Sequence, residues 1–170
     1  MTPIQILNAS SIEPEGYVDR PTVKAVVIDE NNRVLLFAGA LLGGGVETGE
    51  DLPVALAREC QEEAGIKIEV LDALGVVIQF RDVLKRRYVI HGFLTRFVER
   101  LSKPTTTQES EQKRTVTWYE VAEAEQLLVE EIKAIEEAGN MDVAKDKYQA
   151  ELFNTKTALI FLQEAKKKMK

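Results

Sequence analysis

The sequence predicts an α/β (α+β) domain with a mixed sheet between helices. Three observations predict it. Short runs rich in β-branched residues alternate with amphipathic stretches along the chain. Residues 120–138 and 142–168 carry long helical patterns after the final short strand. Between the strands, Gly43 to Ile66, GGGVETGEDLPVALARECQEEAGI, reads as a loop, a helix and a second loop. A chain of 170 residues has the length of one domain and can bury a real core. It shows no internal repeat and no linker. Residues 1–170 are therefore expected to form one domain, with 139–170 as a C-terminal helical extension packed on it.

Taken in order, Ile4 to Leu7 is a short apolar piece that suits an edge strand, followed by a polar, proline-bearing loop. Thr22 to Ile28, TVKAVVI, is β-branched and stops at the turn signal Asp29-Glu30-Asn31-Asn32. Arg33 to Phe37 returns as the second strand of a hairpin packed on both faces. AGALL then leads into Gly43, Gly44 and Gly45. Asp51 can cap the following helix, Pro53 fits its first turn, and Gly65 can end it with positive φ. Lys67 to Val70 and Gly75 to Phe80 read as separate strands. Arg81 to Arg87 is a basic turn. Tyr88 to Val98, apolar on both faces in its middle, should lie centrally in the sheet. Ser102 to Lys113 is a loop, and Thr115 to Tyr119 a strand whose Trp118 packs on a helix. In the last helix Tyr148, Leu152, Leu159 and Leu162 make an apolar stripe that can pack on the sheet or support a homodimer.

Composition narrows the function classes. The net charge of −6 argues against bulk nucleic-acid binding. A single cysteine excludes an internal disulfide, and Cys60 reads as a small core residue. No apolar run reaches membrane-spanning length, and no signal-peptide pattern is seen. The expected location is the cytoplasm.

The acidic helix carries the chemistry. Glu59, Glu62 and Glu63 stand at i, i+3 and i+4, so a helix sets all three on one face. Leu56, Cys60 and Ala64, with Ala57, form the apolar stripe, and Ala55 leaves room among the acids. Such an E-x-x-E-E is also what a solvated acidic face looks like. Three clustered carboxylates repel one another and call for a cation, and oxygen ligands select Mg²⁺, Mn²⁺ or Ca²⁺. Adjacent glycines let backbone approach metal or phosphate. The residues thus point to a divalent-metal site acting on phosphorylated compounds.

The wider spacing is more specific. From Gly44 it runs Gly, five residues, Glu50, seven residues, then Arg58, Glu59, Cys60, any residue, Glu62, Glu63, any residue, Gly65 and Ile66. This resembles the box of the Nudix (MutT-like) hydrolases at every specified position. The resemblance implies an α/β/α sandwich with a loop–helix–loop metal site. It implies hydrolysis of a diphosphate linkage joining a nucleoside to another group, X, with Mg²⁺ or Mn²⁺ as cofactor and a small nucleotide derivative as partner. By position, Glu59, Glu62 and Glu63 resemble the metal ligands, one of them a possible proton acceptor. The Gly43 carbonyl matches a further ligand, and Arg58 with Glu50 matches an orienting salt bridge. Glu111, with Glu109 in reserve, is the candidate for an outlying acidic ligand.

Gly44, Arg81, Lys85 and Arg86, with Arg87, are the candidates for holding substrate phosphates, although basic turns are commonly just solvated. Phe80 or Tyr88 could stack on a base, though a core role suits both better. His91, mid-strand, reads as a satisfied histidine rather than a catalytic one. The segment Leu41-Leu42-Gly43-Gly44 lacks the proline common in the family, and no subfamily mark for ADP-ribose or NADH hydrolases follows the box. The other reading is a catalytically silent binding or regulatory module of the same fold. The complete acidic set favours the hydrolase.

Overall fold

The computed structural model describes residues 3–7, 16–37, 39–101, 116–138 and 145–169. Six strands form one mixed sheet: β1 (Gln5–Leu7), β2 (Val18–Ile28), β3 (Val34–Phe37), β4 (Ile66–Arg81), β5 (Arg86–Arg100) and β6 (Val116–Tyr119). Their spatial order is β1-β4-β5-β2-β3-β6. Pairings β1/β4 and β2/β5 are parallel, and the other three are antiparallel. Helix α1 (Leu52–Ala64) covers one face, while α2 (Val121–Ala138) and α3 (Lys145–Lys168) cover the other. The fold is the expected α/β/α arrangement. Among the described residues, no helix is long and apolar enough to cross a membrane.

Alternation along β2 serves both faces. Val23, Ala25 and Val27 enter the α1 side, and Val26 and Ile28 enter the α2–α3 side. The turn after β2 is held by Asp29, whose carboxylate accepts from the Asn31 and Arg33 amides at 2.9 and 2.8 Å. β5 lies between β4 and β2, as its two-sided apolar middle predicts. Gly92 in β5 lies under Phe161 of α3, where an added Cβ would come within 2.5 Å of the ring. That close seat docks the C-terminal helix on the sheet, together with Leu162 and Ala165, all three fully buried. Burying each large side chain contributes roughly 1.5–3 kcal/mol.

Three expectations need correction. The two strands read at 67–70 and 75–80 are one strand, which stays paired with β5 through register shifts at Lys67/Ile68, Val70/Asp72 and Ala73/Gly75. Gly75, at φ 123°, lets the strand bulge instead of ending. In α1 the buried stripe is Ala55, Leu56, Cys60 and Ala64, whereas Ala57 is exposed. Ala55 therefore belongs to the core rather than among the acids. Asp51 holds the N-cap position without a side-chain cap bond. Pro53 does lie in the first turn, and Gly65 ends the helix at φ 62°, its amide bonding back to Gln61. Trp118 joins the core on the α1 side, edge-on to Phe97 with ring centroids 5.8 Å apart.

Candidate active site

The glycine loop is stitched to β2. Val23 donates its amide to the Gly44 carbonyl at 3.0 Å, and Ala25 to Leu42 at 2.9 Å. Gly43 has φ 126°, and an added Cβ there would stand 2.1 Å from the Val23 carbonyl oxygen. No other residue fits. At Gly44 a Cβ would fall 2.5 Å from Glu59 Oε2, so this glycine leaves the carboxylate open to the loop.

Arg58 is the node. Its guanidinium donates from Nε and Nη2 to both Glu50 oxygens at 2.9 and 3.0 Å. Nη2 also reaches the Gly45 carbonyl at 2.9 Å, and Nη1 reaches Glu59 at 2.8 Å and Glu62 at 3.3 Å. The expected Arg58–Glu50 pair is therefore present, in two-pronged form. The Arg58 hydrogen bond, followed by the Glu47 amide, holds the Glu50 carboxyl below its ordinary pKa. Glu50 in turn raises that of Arg58. Glu63 turns the other way and accepts the Gly43 amide at 2.8 Å. Beside it, the Lys24 ammonium donates to the carbonyls of Gly43 at 2.5 Å and Leu41 at 3.0 Å. Burial, then Glu63, pushes the Cys60 thiol up to about 12, which makes it inert.

The three acids thus share one helix face but divide their lone pairs between Arg58 and the Gly43 amide. Among the described residues, no three acidic, histidine or cysteine side chains converge on a point that could hold a metal ion. The mutual repulsion that called for a cation is relieved by Arg58. The donor set still suits a hard divalent ion: three carboxylates and the Gly43 carbonyl are all oxygen, and Gly44 leaves space beside Glu59.

The loop borders a cleft of about 100 Å³ between the sheet and α3. Lys24, Glu63, Phe37, Leu41, Asn154 and Thr157 are among its walls. The basic turn is arranged differently from expectation. Arg81 is buried, lies over the Tyr88 ring at 4.6 Å and donates to Asn154 Oδ1 at 3.3 Å, so it backs the cleft. Lys85 stands over the Tyr17 ring at 5.1 Å, Arg86 is exposed at the start of β5, and Arg87 pairs with Asp19. None of these four lines the cleft. Phe80 is buried edge-on to Tyr17, and Tyr88 packs against the core. His91 is half-buried in β5, and burial lowers its pKa. Glu109 and Glu111 lie outside the described residues.

Sequence reading missed Lys24, Asn154 and Thr157 as walls of the cleft. Lys24 had a signal: a lone ammonium inside the apolar run TVKAVVI. Glu131 of α2 stands beside Gly39, where a Cβ would come within 2.8 Å of its carboxylate. Burial, then Glu151, raises its pKa.

Comparison with known proteins bears on the family and the fold. Residues 18–138 match the family described as NUDIX domain. Two mouse proteins, diphosphoinositol polyphosphate phosphohydrolases 3-alpha and 3-beta, are each 32% identical over 94 residues. The matched region is 51% of this chain, and the chain spans only 57% of the length of those curated relatives. A MutT NUDIX hydrolase structure from Burkholderia pseudomallei is similar at TM-score 0.51 and 24% identity, over 62% of this chain and 86% of that one. A MutT protein from Methanosarcina mazei Go1 gives TM-score 0.51 and 17% identity over 91% and 99%. At such identities the structures show the fold alone. The family match covers more than half of the chain, α1 and its glycine loop included: the chain belongs to the NUDIX-domain family.

Proposed function

We propose that this protein hydrolyses a diphosphate linkage between a nucleoside phosphate and a second group, X, using Mg²⁺ or Mn²⁺. One observation carries the reading. A single guanidinium, Arg58, fixes Glu50, Glu59, Glu62 and the Gly45 carbonyl in one cluster, and Glu63 of the same helix lines the neighbouring cleft. Glu59, Glu62, Glu63 and the Gly43 carbonyl would hold the ion. When bound, the ion supplies neutralisation of phosphate charge and acidification of water.

The chain's own groups do the rest. Glu50 locks Arg58 to the loop, and Arg58 sets the orientation of Glu59 and Glu62. The Lys24 ammonium lines the cleft and supplies a positive charge for phosphate oxygens. One of the three acids accepts the proton lost by the attacking water. A P–O bond forms to that water as the anhydride P–O bond breaks, and two phosphate-bearing products leave.

The test is turnover with Mg²⁺ on nucleoside triphosphates, dinucleoside polyphosphates, ADP-ribose, nucleotide sugars and a diphosphoinositol polyphosphate. The last is included because of the mouse relatives' names. At least one compound should be cleaved, and Glu62→Gln should lower kcat roughly a hundredfold or more. Wild-type protein that cleaves none of them would favour a silent binding module. Undiminished turnover by the variant would remove Glu62 from its role.

A further inference from the structure

Every carbonyl of the loop from Leu41 to Gly44 is claimed by β2. Val23 and Ala25 give their amides to Gly44 and Leu42 at 3.0 and 2.9 Å. Lys24 stands between them, and its ammonium takes the two carbonyls they skip, Gly43 at 2.5 Å and Leu41 at 3.0 Å. The backbone sets this up. The Lys24 Cα lies 3.0 Å from where a Gly43 Cβ would stand, so the lysine stem starts directly beside the loop. The residue is half-buried in the apolar run TVKAVVI, where an ammonium is costly unless its N–H groups are bonded. The other end of Gly43 is held as well: its amide gives to Glu63 Oε2 at 2.8 Å. Lys24 and Glu63 line the same cleft. Gly43 is thus pinned between a cation at its oxygen and an anion at its nitrogen. That oxygen and that carboxylate are two of the four groups assigned above to the divalent ion.

We infer, resting on the hydrolase reading only in the choice of Gly43 and Glu63 as ion ligands, that Lys24 is a tethered competitor for the ion site. Its ammonium supplies the positive charge that closes the loop on itself, and it must leave the Gly43 carbonyl when a divalent cation is taken up. Two cations on one carbonyl oxygen repel strongly in a partly buried setting. A neutral residue at position 24 would leave that oxygen open. Lys24 therefore sets a threshold: the site fills only at ion concentrations able to displace an ammonium already in place.

Two measurements on the full chain test it. The first is Mn²⁺ affinity by electron paramagnetic resonance. Lys24→Met keeps the stem and removes the charge, and should bind Mn²⁺ about tenfold tighter than wild type, or more. The second reads wild type directly, through the ¹H–¹⁵N signal of the Lys24 side chain. In metal-free protein the ammonium protons should exchange slowly with water, and saturating Mg²⁺ should abolish that protection. Equal or weaker Mn²⁺ binding by Lys24→Met would overturn the inference, and so would an ammonium still protected in Mg²⁺-saturated protein. Tighter binding by Lys24→Met and lost protection, with no compound of the panel cleaved, would sink the hydrolase reading and leave this one standing. Mn²⁺ binding by neither protein would overturn both.

Discussion

The two faces of the sheet carry two differently made polar assemblies. On the α1 side, Arg58 gathers groups that lie 1, 4, 8 and 13 positions away in the chain. On the α3 side, Gln79 and Arg81 reach partners 73 to 78 positions away. The first assembly is charged and largely local. The second is mostly neutral, buried and long-range. The proposed metal-site residues thus lie in one loop and helix, while the polar contacts of the α3 side form only when α3 docks.

The largest effect that would sharpen this contrast is expected from Arg58. Arg58→Ala frees three carboxylates at once, and kcat should fall about 10²–10³-fold. Stability should drop as well, since the loss leaves Glu50 and Glu59 without their shared partner. Arg58→Lys should recover little, because one ammonium cannot serve the two-pronged contact with Glu50. A kcat loss below fivefold in Arg58→Ala, measured on the best substrate, would mean that the node is only structural.

Next comes Gly43→Ala, the test of the loop itself. The methyl would be driven into the Val23 carbonyl at a φ that L-residues disfavour. A loss of about 3 kcal/mol or more in chemical denaturation is expected. Wild-type stability would show that the loop can be rebuilt, and the Gly43 carbonyl would lose its claim to a fixed position.

The α1 side was legible because its partners are neighbours in sequence. The glycines, Glu50, Arg58 and the acids declare their spacing directly, and Arg58 gathers Glu50, Glu59 and Glu62 while Glu63 turns to the Gly43 amide. Legibility ended where distance or local conformation decided. Arg81 reads as one more cation in a basic turn, yet the sheet buries it behind Asn154. Nothing local tells Thr157 that Gln79 will face it. The break foreseen in β4 was a bulge, because glycine weakens a strand without having to end it. Ala55 and Ala57 changed places because alanine fits either surface or core, and the actual phase of α1 decided between them.

The smallest expected effect is a pH dependence confined to the α1 side. The folded pKa of Glu50 lies below its unfolded value, so the unfolded chain binds its proton more readily. Its contribution to stability is fully present above the ordinary carboxylate pKa near 4.5 and is lost as pH falls through the lower folded value. Wild type should therefore exceed Glu50→Gln in stability at pH 7, and the two should converge as pH falls below 4.5 and through the lower folded value. A gap that stays constant down to pH 3 would detach Glu50 from the charge network.

The central claim is that the α1 carboxylates, with the glycine loop, form a hydrolytic divalent-ion site. Mn²⁺ binding followed by electron paramagnetic resonance tests it most directly. Wild-type protein should bind Mn²⁺ and release it to Mg²⁺, and Glu59→Gln, Glu62→Gln and Glu63→Gln together should weaken binding at least tenfold. Equal Mn²⁺ binding by the wild type and the triple variant, or none by either, would contradict it.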